Sequence, residues 1–305
     1  MTRICAPIAL FVFNRKDHTE RTVSALKRNL LAQDSDLFIF SDAANSPETA
    51  RSVAAVREYV RTIDGFKSVK ITEQKENRGL AASIISGVTS ICSERGRVIV
   101  MEDDLVTSPF FLQYMNDALD CYAEETRVAA ISGFHPPFNI PLPETFFLQD
   151  AECWGWATWQ RAWTIFNPDG RQLLSELTRK RLLRTFDQDG TYPYVRMLED
   201  QIAGRVNSWA IRWRASVILG EKLSLYPRHS MVRNIGFDGS GVHSEVSDVW
   251  EAAMDESAIR VERVALHPSV EAYKAFVRFN RRFFWKARLN KIVRKLSALA
   301  RLDPK

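Results

Sequence analysis

Cysteine is scarce in this sequence, and no apolar run is long. The cysteines stand far apart, at Cys5, Cys92, Cys121 and Cys153. Without a C-x-x-C pair they provide neither a zinc-site spacing nor a disulfide framework, so a reducing compartment is expected. No uninterrupted apolar run reaches the ~18 residues that span a bilayer, and the N-terminus lacks the apolar segment of a secretory signal. We therefore expect a cytoplasmic protein.

Two nucleotide-binding signatures are also missing. The sequence contains no G-x-x-x-x-G-K-[ST], and no G-x-G-x-x-G follows its first apolar run. P-loop nucleotide hydrolysis and dinucleotide-dependent redox chemistry both lose support, because each uses such glycines to bring the backbone close to a phosphate group. Any nucleotide must be bound in another way.

The net charge of +5 is carried mainly by the C-terminus. Basic residues cluster there at Arg278, Arg281, Arg282, Lys286, Arg288, Lys291, Arg294, Lys295 and Arg301. The remaining chain is nearly balanced, which indicates a basic tail on a neutral enzyme body and argues against a nucleic-acid partner. Apolar residues recur in the same stretch at helical spacing, at Trp285, Leu289, Ile292, Val293, Leu296 and Leu299. Such a helix either contacts an anionic membrane surface or docks on the catalytic domain.

Apolar runs of strand length alternate with helix-like segments through the first half of the chain. The strand-like runs lie at 7–13, 37–40, 69–72, 98–101 and 128–131. The helix-like segments lie at 19–29, with Thr19 as the expected N-cap, and at 47–63, 80–94 and 109–122. This alternation predicts an α/β fold with a doubly wound, mostly parallel, Rossmann-like sheet.

The pattern changes after about residue 133. A proline-rich stretch and a tryptophan-dense segment follow, then a helix-like run at 191–206 and a glycine-rich loop at 236–241. We interpret 134–257 as the second half of one domain that starts at residue 1, and 258–305 as a basic helical extension.

Polar residues follow four of the apolar runs at the point where each run ends. They are Asn14-Arg15, Ser41-Asp42, Glu76-Asn77-Arg78-Gly79 and Glu102-Asp103-Asp104. Ligands of open parallel sheets bind beyond the carboxyl ends of the strands. These side chains are therefore expected to lie together and to suit a base, a ribose and a phosphate group.

The triplet Glu102-Asp103-Asp104 carries the most information. Adjacent carboxylates repel one another and need a cation to coexist in a cleft. Carboxylate oxygens without a nearby Cys or His pattern suit a hard cation such as Mg²⁺ or Mn²⁺, which also binds phosphate oxygens. The alternative is a solvated acidic turn before the helix that Ser108-Pro109 would start.

Several of these segments, in this order, resemble the GT-A-fold glycosyltransferases, both the family 2-like bacterial sugar transferases and the N-acetylglucosaminyltransferase I-like group. The matching segments are 7–15, 40–42, 77–81, 100–105, 154–159, 199–200 and 234–243. The resemblance covers the chain from Pro7 to about Ser244. It implies a GT-A fold whose first half, 1–133, binds the nucleotide and whose second half, 134–257, binds the acceptor.

The resemblance also implies roles for individual residues. Asn14, Arg15 and Asp42 would contact the nucleoside, and Asn77 and Arg78 would line its ribose and phosphate side. Glu102-Asp103-Asp104 stands where the family has its D-x-D motif, which makes Asp104 a metal ligand and places Glu102 and Asp103 at the nucleotide sugar. His243 would be a further metal or diphosphate ligand, with Mn²⁺ or Mg²⁺ as the cofactor. The leading Glu in place of Asp is closer to the N-acetylglucosaminyltransferase-like branch.

An acceptor hydroxyl must lose a proton during sugar transfer, so a base is needed. Glu199 and Asp200 open a helix-like run, and the resemblance names Asp200 as the base. The alternative is that the acidic pair only stabilises a helix N-terminus. Trp154-Gly155-Trp156 is the best sugar-binding candidate among the tryptophans, because indole faces pack on sugars and Gly155 permits close backbone approach. Core packing is the alternative for each tryptophan.

The sequence therefore predicts a metal-dependent inverting glycosyltransferase. It would move a sugar from a nucleotide sugar, with UDP-sugars favoured, to a saccharide or lipid-linked acceptor in polysaccharide assembly. Peripheral contact with the inner face of the cell membrane would run through the C-terminal tail. The alternatives are a sugar-1-phosphate nucleotidyltransferase and a non-catalytic saccharide-binding or assembly subunit.

Overall fold

The computed structural model describes residues 4–138, 140–239, 254 and 257–284. Its strands are β1 (Ile8–Val12), β2 (Asp36–Ser41), β3 (Ser68–Glu73), β4 (Arg97–Glu102), β5 (Leu105–Thr107), β6 (Val128–Ser132), β7 (Thr145–Leu148), β8 (Trp156–Trp159), β9 (Leu223–Pro227) and β10 (Val232–Asn234). Its helices are α1 (Lys16–Lys27), α2 (Pro47–Val60), α3 (Gly79–Arg95), α4 (Phe111–Cys121), α5 (Gln160–Trp163), α6 (Gly170–Arg179), α7 (Leu183–Phe186), α8 (Tyr194–Ile202), α9 (Trp209–Leu219) and α10, which includes residues 270–284.

A mixed eight-stranded sheet forms the centre, in the order β3-β2-β1-β4-β8-β6-β9-β7. β1, β2, β3 and β4 run parallel, and β8 is antiparallel to both β4 and β6. β1 and β4 are almost entirely buried because helices cover both faces of the sheet. The predicted α/β class and the mostly parallel sheet are confirmed, and the irregular second half supplies the antiparallel strands.

The direction of strand addition reverses at β1. The chain adds β2 and β3 on one side of β1 and then returns to place β4 on the other side. Phe11 of β1 pairs in register with Phe40 of β2 and with Glu102 of β4. The carboxyl ends of these three strands therefore lie at one level, and the topological switch point lies between β1 and β4.

Helix α1 begins earlier than the sequence predicted. It starts at Lys16, with Arg15 at the N-cap, so the predicted cap, Thr19, lies inside the first turn. Thr19 is fully buried, and its hydroxyl donates a 2.8 Å hydrogen bond back to the carbonyl oxygen of Arg15. Inside a helix, a Thr hydroxyl bonds to a carbonyl oxygen of the preceding turn, so Thr19 does not act as the cap.

Four tryptophans of the second half form one packed cluster in the core. Trp156 stacks on Trp209 at a centroid distance of 5.3 Å, and Trp163 and Trp213 lie beside it at 5.9 Å. All of these indoles are at most 6% exposed. For this group the core-packing alternative is the one that the structure supports.

Residues 257–284 pack on the domain. Ile259 is 4% exposed and belongs to the main core, and Pro268 forms a β-bridge with Phe147. Ala272 and Phe276 of α10 are buried in a further apolar cluster on strands β7 and β9. The described part of the predicted helical extension, 257–284, is therefore docked on the domain.

Within the described residues, no helix combines the length and apolar character that crossing a membrane requires. The amphipathic positions from Trp285 to Leu299, on which the membrane prediction depends, lie outside the described residues.

Candidate functional site

The acidic triplet forms a turn at the carboxyl end of β4. Glu102 ends the strand, Asp103 and Asp104 make the turn, and β5 begins at the next residue. β10 pairs antiparallel with β5, and the N–H of Ile235 donates a 2.8 Å hydrogen bond to the carbonyl oxygen of Asp104. Three strands therefore hold the turn at the topological switch point, where open α/β sheets bind their ligands.

Arg15 lies inside this acidic turn. Its Nη2 atom contacts the carboxylate of Asp103 and donates a 2.9 Å hydrogen bond to Asp104 Oδ2. Burial alone would lower the pKa of Arg15, but the two carboxylates outweigh it and raise that pKa. The residue was predicted to contact a nucleoside. The structure gives it a second task, which is to supply positive charge between two aspartates.

Negative charge at the turn exceeds what one guanidinium neutralises. Burial and the carboxylates of Asp104 and Asp103 raise the pKa of Glu102 well above its usual range. Burial also raises the pKa of Asp103 to about 6, although Arg15 opposes the shift. Burial is the first cause of both shifts and neighbouring carboxylates add to them, so a further cation would stabilise the ionised forms at this turn.

The donor set suits a hard divalent cation. Glu102 and Asp104 offer carboxylate oxygens and are partly exposed. Within residues 4–138, 140–239, 254 and 257–284, no three His, Cys, Asp or Glu side chains form a complete cation site. Mg²⁺-type sites fit this arrangement, because they use one or two carboxylates and fill the remaining positions with substrate phosphate and water. His243, the other predicted ligand, lies outside the described residues.

Gly236 allows the segment after β10 to lie against this turn. A Cβ atom at residue 236 would overlap Asp104 Oδ2 and would come within 3.1 Å of Arg15 Nη1. The N–H of Gly236 donates a 2.7 Å hydrogen bond to Asn234 Oδ1, which holds the segment in place. The sequence identified a glycine-rich loop here, and the structure shows that Gly236 is needed for close approach to a carboxylate.

His18 and Thr22, one turn apart on α1, support the same region and were missed by sequence reasoning. His18 Nε2 lies 3.2 Å from the carbonyl oxygen of Ile235 and 3.2 Å from Asp238 Oδ2. Thr22 Oγ1 donates a 2.8 Å hydrogen bond to the carbonyl oxygen of Asp103. Their i,i+4 spacing was the available signal, since it places both side chains on one helix face.

Asp42 holds the 77–79 loop. Its Oδ1 atom accepts 2.9 Å hydrogen bonds from the N–H groups of Ala43 and Arg78. Its Oδ2 atom accepts from the Gly79 N–H at 2.8 Å and from Asn77 Nδ2 at 3.1 Å. A carboxylate has about four acceptor positions, so direct contact with a nucleoside would have to displace one of these donors. The structure therefore places Asp42 as a support for the loop.

The remaining predicted nucleoside residues are accessible at the same edge of the sheet. Asn14 is partly exposed just beyond β1, and Asn77 and Arg78 are exposed before α3. The N–H of Asp42 donates a 3.2 Å hydrogen bond to the carbonyl oxygen of Val12, which joins the ends of β1 and β2. These residues are accessible, although the Asn77 amide already donates to Asp42 and to the carbonyl oxygen of Ala43. Their predicted contacts with a nucleoside stay predictions.

Trp154, Gly155 and Trp156 occupy different environments. Trp154 is partly exposed and lies edge-on to Phe237 at 5.5 Å, beside the segment that covers the acidic turn. Gly155 has φ of +62° and a Cβ there would meet Val232 Cγ1 at 2.8 Å, so internal packing accounts for this glycine. Trp156 is fully buried. Its predicted stacking on a sugar is not possible in this structure, because its indole is sealed in the core.

Asp200 lies in the last turn of α8, so it does not open a helix. Arg205 Nε donates a 2.7 Å hydrogen bond to Asp200 Oδ1, and α8 packs against α6 and α9. The alternative in which the acidic pair stabilises a helix N-terminus is wrong, because carboxylates in the last turn face the negative end of the helix dipole. The role of Asp200 as a base stays a prediction.

The second half contains a buried network of one ion pair and two hydrogen bonds that the sequence did not predict. Arg214 and Asp150 form an ion pair in which both side chains are 3% exposed. Gln188 Nε2 donates a 2.6 Å hydrogen bond to Asp150 Oδ2, and Asn280 Nδ2 of α10 donates a 2.5 Å hydrogen bond to Gln188 Oε1. Gln188 has φ of +47°, a strained backbone that these partners hold in place. This network connects Asn280 of α10 to Asp150, at the start of the 150–155 segment.

Comparison with known proteins assigns no family to this chain. No protein family and no curated protein matches the sequence. Among solved structures, the mannosyltransferase PcManGT from Pyrobaculum calidifontis, in complex with GDP-Man and Mn²⁺, is 18% identical over 41% of this chain and 34% of that chain, with a TM-score of 0.31. S. aureus TarS is 11% identical over 45% of this chain and 23% of that chain, with a TM-score of 0.30. GalNAc-T7 with UDP, GalNAc and Mn²⁺ is 10% identical over 54% of this chain and 37% of that chain, with a TM-score of 0.39.

Proposed function

We propose that this protein is a metal-dependent glycosyltransferase. It takes a sugar from a nucleotide sugar, with UDP-sugars favoured, and transfers it with inversion to a saccharide or lipid-linked acceptor. The observation that carries the proposal is the carboxylate turn 102–104 at the topological switch point, with excess negative charge and accessible polar side chains at the neighbouring strand ends. Such a turn suits a cation-bound diphosphate.

The residues of the turn and its neighbours would have different roles in binding the nucleotide sugar. Asp104, with Glu102 beside it, would hold Mn²⁺ or Mg²⁺, and the bound cation would neutralise the charge that develops on the leaving diphosphate. Arg15 offsets the repulsion between the Asp103 and Asp104 carboxylates and fixes their orientation. Asn77 and Arg78, exposed on the loop that Asp42 supports, would bind the ribose and phosphate side.

Two other functions fit the site less well. A sugar-1-phosphate nucleotidyltransferase needs cationic and glycine-rich backbone around a triphosphate after its first strand. Here that position is Asn14-Arg15-Lys16-Asp17, and Arg15 is already paired with the carboxylates of Asp103 and Asp104. A non-catalytic saccharide-binding subunit would have no use for three carboxylates at a turn where Arg15 pairs with only two of them. Both observations favour the glycosyltransferase.

A turnover assay separates the three functions. We expect the protein to release nucleoside diphosphate from one of a panel of UDP- and GDP-sugars with saccharide acceptors and Mn²⁺, to lose activity in EDTA, and to regain it when Mn²⁺ is restored. Pyrophosphate release from a nucleoside triphosphate and a sugar 1-phosphate would instead identify a nucleotidyltransferase. Saccharide binding without turnover of any donor would identify the non-catalytic subunit.

We also propose that residues 285–305 bring the enzyme to an anionic membrane surface on the cytoplasmic side, where lipid-linked acceptors would be found. The proposal rests on the amphipathic, basic sequence of that segment. Because α10 is packed into the domain, the informative truncation ends after Phe284. In liposome flotation, the full-length protein is expected to bind anionic vesicles more strongly than the truncated chain. Equal flotation of the two would contradict this.

A further inference from the structure

One face of α1 holds both the acidic turn and the segment that lies on it. Arg15, at the N-cap, pairs with two carboxylates of the turn, and Thr22 donates a hydrogen bond to the carbonyl oxygen of Asp103. His18 lies between them on the same face, because residues three and four apart are neighbours on a helix surface. Its imidazole contacts residues 235 and 238. Of these three side chains, His18 is therefore the one that links α1 to the segment after β10.

The segment 235–238 lies directly on a proposed metal ligand. The N–H of Ile235 donates a 2.8 Å hydrogen bond to the carbonyl oxygen of Asp104. Gly236 lies so close to the Asp104 carboxylate that a Cβ atom at residue 236 would overlap Oδ2. The segment therefore contacts both the main chain and the side chain of Asp104. Groups that support a metal ligand set its orientation, so the position of this segment determines how Asp104 faces a cation.

A single nitrogen atom of His18 spans this segment. Nε2 lies 3.2 Å from the carbonyl oxygen of Ile235 and 3.2 Å from Oδ2 of Asp238. A carbonyl oxygen and a carboxylate oxygen both accept hydrogen bonds, so Nε2 carries the ring hydrogen and shares it between them. The two acceptors lie on either side of Gly236 and Phe237. This one donor therefore fixes both ends of the stretch that lies on Asp104.

The burial of His18 separates a positioning role from simple packing. Its side chain is 10% exposed, whereas the Asp238 side chain is 48% exposed. A buried polar ring needs hydrogen-bond partners to offset its loss of water, and the described partners of Nε2 both lie in the segment 235–238. An aliphatic side chain would fill the same space without this requirement. Packing alone therefore does not account for a histidine at this position.

The same segment forms one side of the cleft. The N–H of Gly236 donates a 2.7 Å hydrogen bond to Asn234 Oδ1, which is a contact within the same stretch of chain. The Phe237 ring lies edge-on to Trp154, with the ring centroids 5.5 Å apart. His18 adds a hydrogen bond from a helix to the main chain of the segment. The segment therefore joins the acidic turn to Trp154, and His18 ties it to α1.

We propose that His18 is a positioning residue of the metal–diphosphate site. By holding residues 235–238 against the acidic turn, it keeps the Asp104 carboxylate in the orientation that receives the cation. This inference rests on the proposed glycosyltransferase function. His18 would contact neither the cation nor the sugar through Nε2, since that hydrogen is shared between two acceptors of the protein itself.

Three variants test the proposal. His18→Leu removes the donor and leaves an apolar side chain in its place. His18→Gln keeps an N–H donor that can reach the same acceptors, so it should behave largely as wild type does. Thr19→Val is the matched control, because Thr19 is also buried in α1 and its hydroxyl bonds within the helix.

The first readout needs neither metal nor substrate. In the metal-free protein, amide hydrogen exchange at residues 235 and 236 should be faster in His18→Leu by about 2- to 10-fold, as the loss of one hydrogen bond implies. Wild type, His18→Gln and Thr19→Val should exchange alike at these residues. The strands β1 and β4 should be affected less, because the change is local. An equal increase in these strands, or no increase at residues 235 and 236, would overturn the proposal.

The second readout is the affinity for a nucleoside diphosphate in the presence of metal. The probe is UDP or GDP, whichever wild type binds more tightly with Mn²⁺. Its Kd should rise by about 10- to 100-fold in His18→Leu, the usual effect of losing a group that orients a metal ligand. In EDTA the same variant should bind as wild type does, because the effect acts through the cation. His18→Gln should recover most of the affinity, and Thr19→Val should retain it.

The outcomes distinguish failure of this proposal from failure of the proposed function. Metal-dependent binding that His18→Leu leaves unchanged would overturn the role of His18, and so would a loss that His18→Gln does not restore. If His18→Leu does not fold, Asp238→Ala removes one acceptor and should show both effects at reduced size; unchanged values there would also overturn the role. A wild type that binds equally well with and without Mn²⁺ would instead contradict the proposed function, while the exchange experiment would still test the contact of His18.

Discussion

Replacing Asp104 by alanine is expected to remove the metal-dependent part of nucleotide-diphosphate binding. Loss of a residue that only supports a metal ligand already weakens metal affinity by about 10- to 100-fold, so loss of a direct ligand should cost about 10²-fold or more. Arg15 would still be held by Asp103, so the turn should keep its shape. Calorimetry with UDP and with GDP, each with and without Mn²⁺, measures the effect.

The affinity for UDP in the absence of metal is expected to change in the opposite direction. The wild-type turn repels a diphosphate when no cation is present, so Asp104→Ala should bind UDP in EDTA at least as well as wild type does. Asp120→Ala is a suitable control, because Asp120 lies in a surface ion pair with Arg97. It removes the same charge from another part of the molecule. Equal Mn²⁺ dependence in wild type and Asp104→Ala would contradict the assignment of the metal site.

Replacing Arg214 by leucine is expected to be strongly destabilising. The change leaves the Asp150 carboxylate buried without its cation, and such a loss typically costs about 3–5 kcal/mol. Burial lowers the pKa of Arg214 to about 9, so the guanidinium is still charged at neutral pH and the ion pair exists there. Urea unfolding followed by far-ultraviolet circular dichroism should show a clear decrease in the midpoint.

Two further variants identify the cause of this decrease. In the double variant Arg214→Leu/Asp150→Asn the unpaired charge is gone, so part of the lost stability should return. Arg260→Leu breaks an ion pair with Glu262 whose side chains are 81% and 62% exposed, and it should change stability by about 0–1 kcal/mol. If Arg214→Leu were no more destabilising than Arg260→Leu, the ion pair would not stabilise the core as argued.

The first half of the sheet could be read from the sequence. Each predicted run at 7–13, 37–40, 69–72 and 98–101 contains or overlaps a parallel strand. The pattern was clearest for β1 and β4, because buried parallel strands are apolar on both faces. The polar strand ends were informative because parallel strands are aligned with one another. Parallel strands that start together also end together, so Arg15 and the acidic turn meet at one edge of the sheet.

The second half could not be read in this way. Antiparallel β8 is a short run of tryptophans and small residues, and its pairing with β4 joins residues as far apart in the chain as Arg97 and Trp159. The buried state of Trp156 follows from that pairing and from the indoles of α5 and α9, which no local period reveals. Likewise, the position of Asp200 at the end of α8 depends on where the helix stops.

The sequence by itself determined the α/β class, the place of the carboxylate turn and the polar residues around it, because side-chain period and strand-end position are local properties. Only the tertiary structure decided which polar side chains pair with each other through hydrogen bonds and ion pairs. Arg15 meets Asp103 across 88 residues of sequence, and Asn280 meets Gln188 across 92. The four donors on Asp42 and the docking of α10 are further examples. Each depends on two distant segments that the packing of the whole domain brings together. The free energy of that packing comes from contacts between segments, so no single stretch of the sequence determines it.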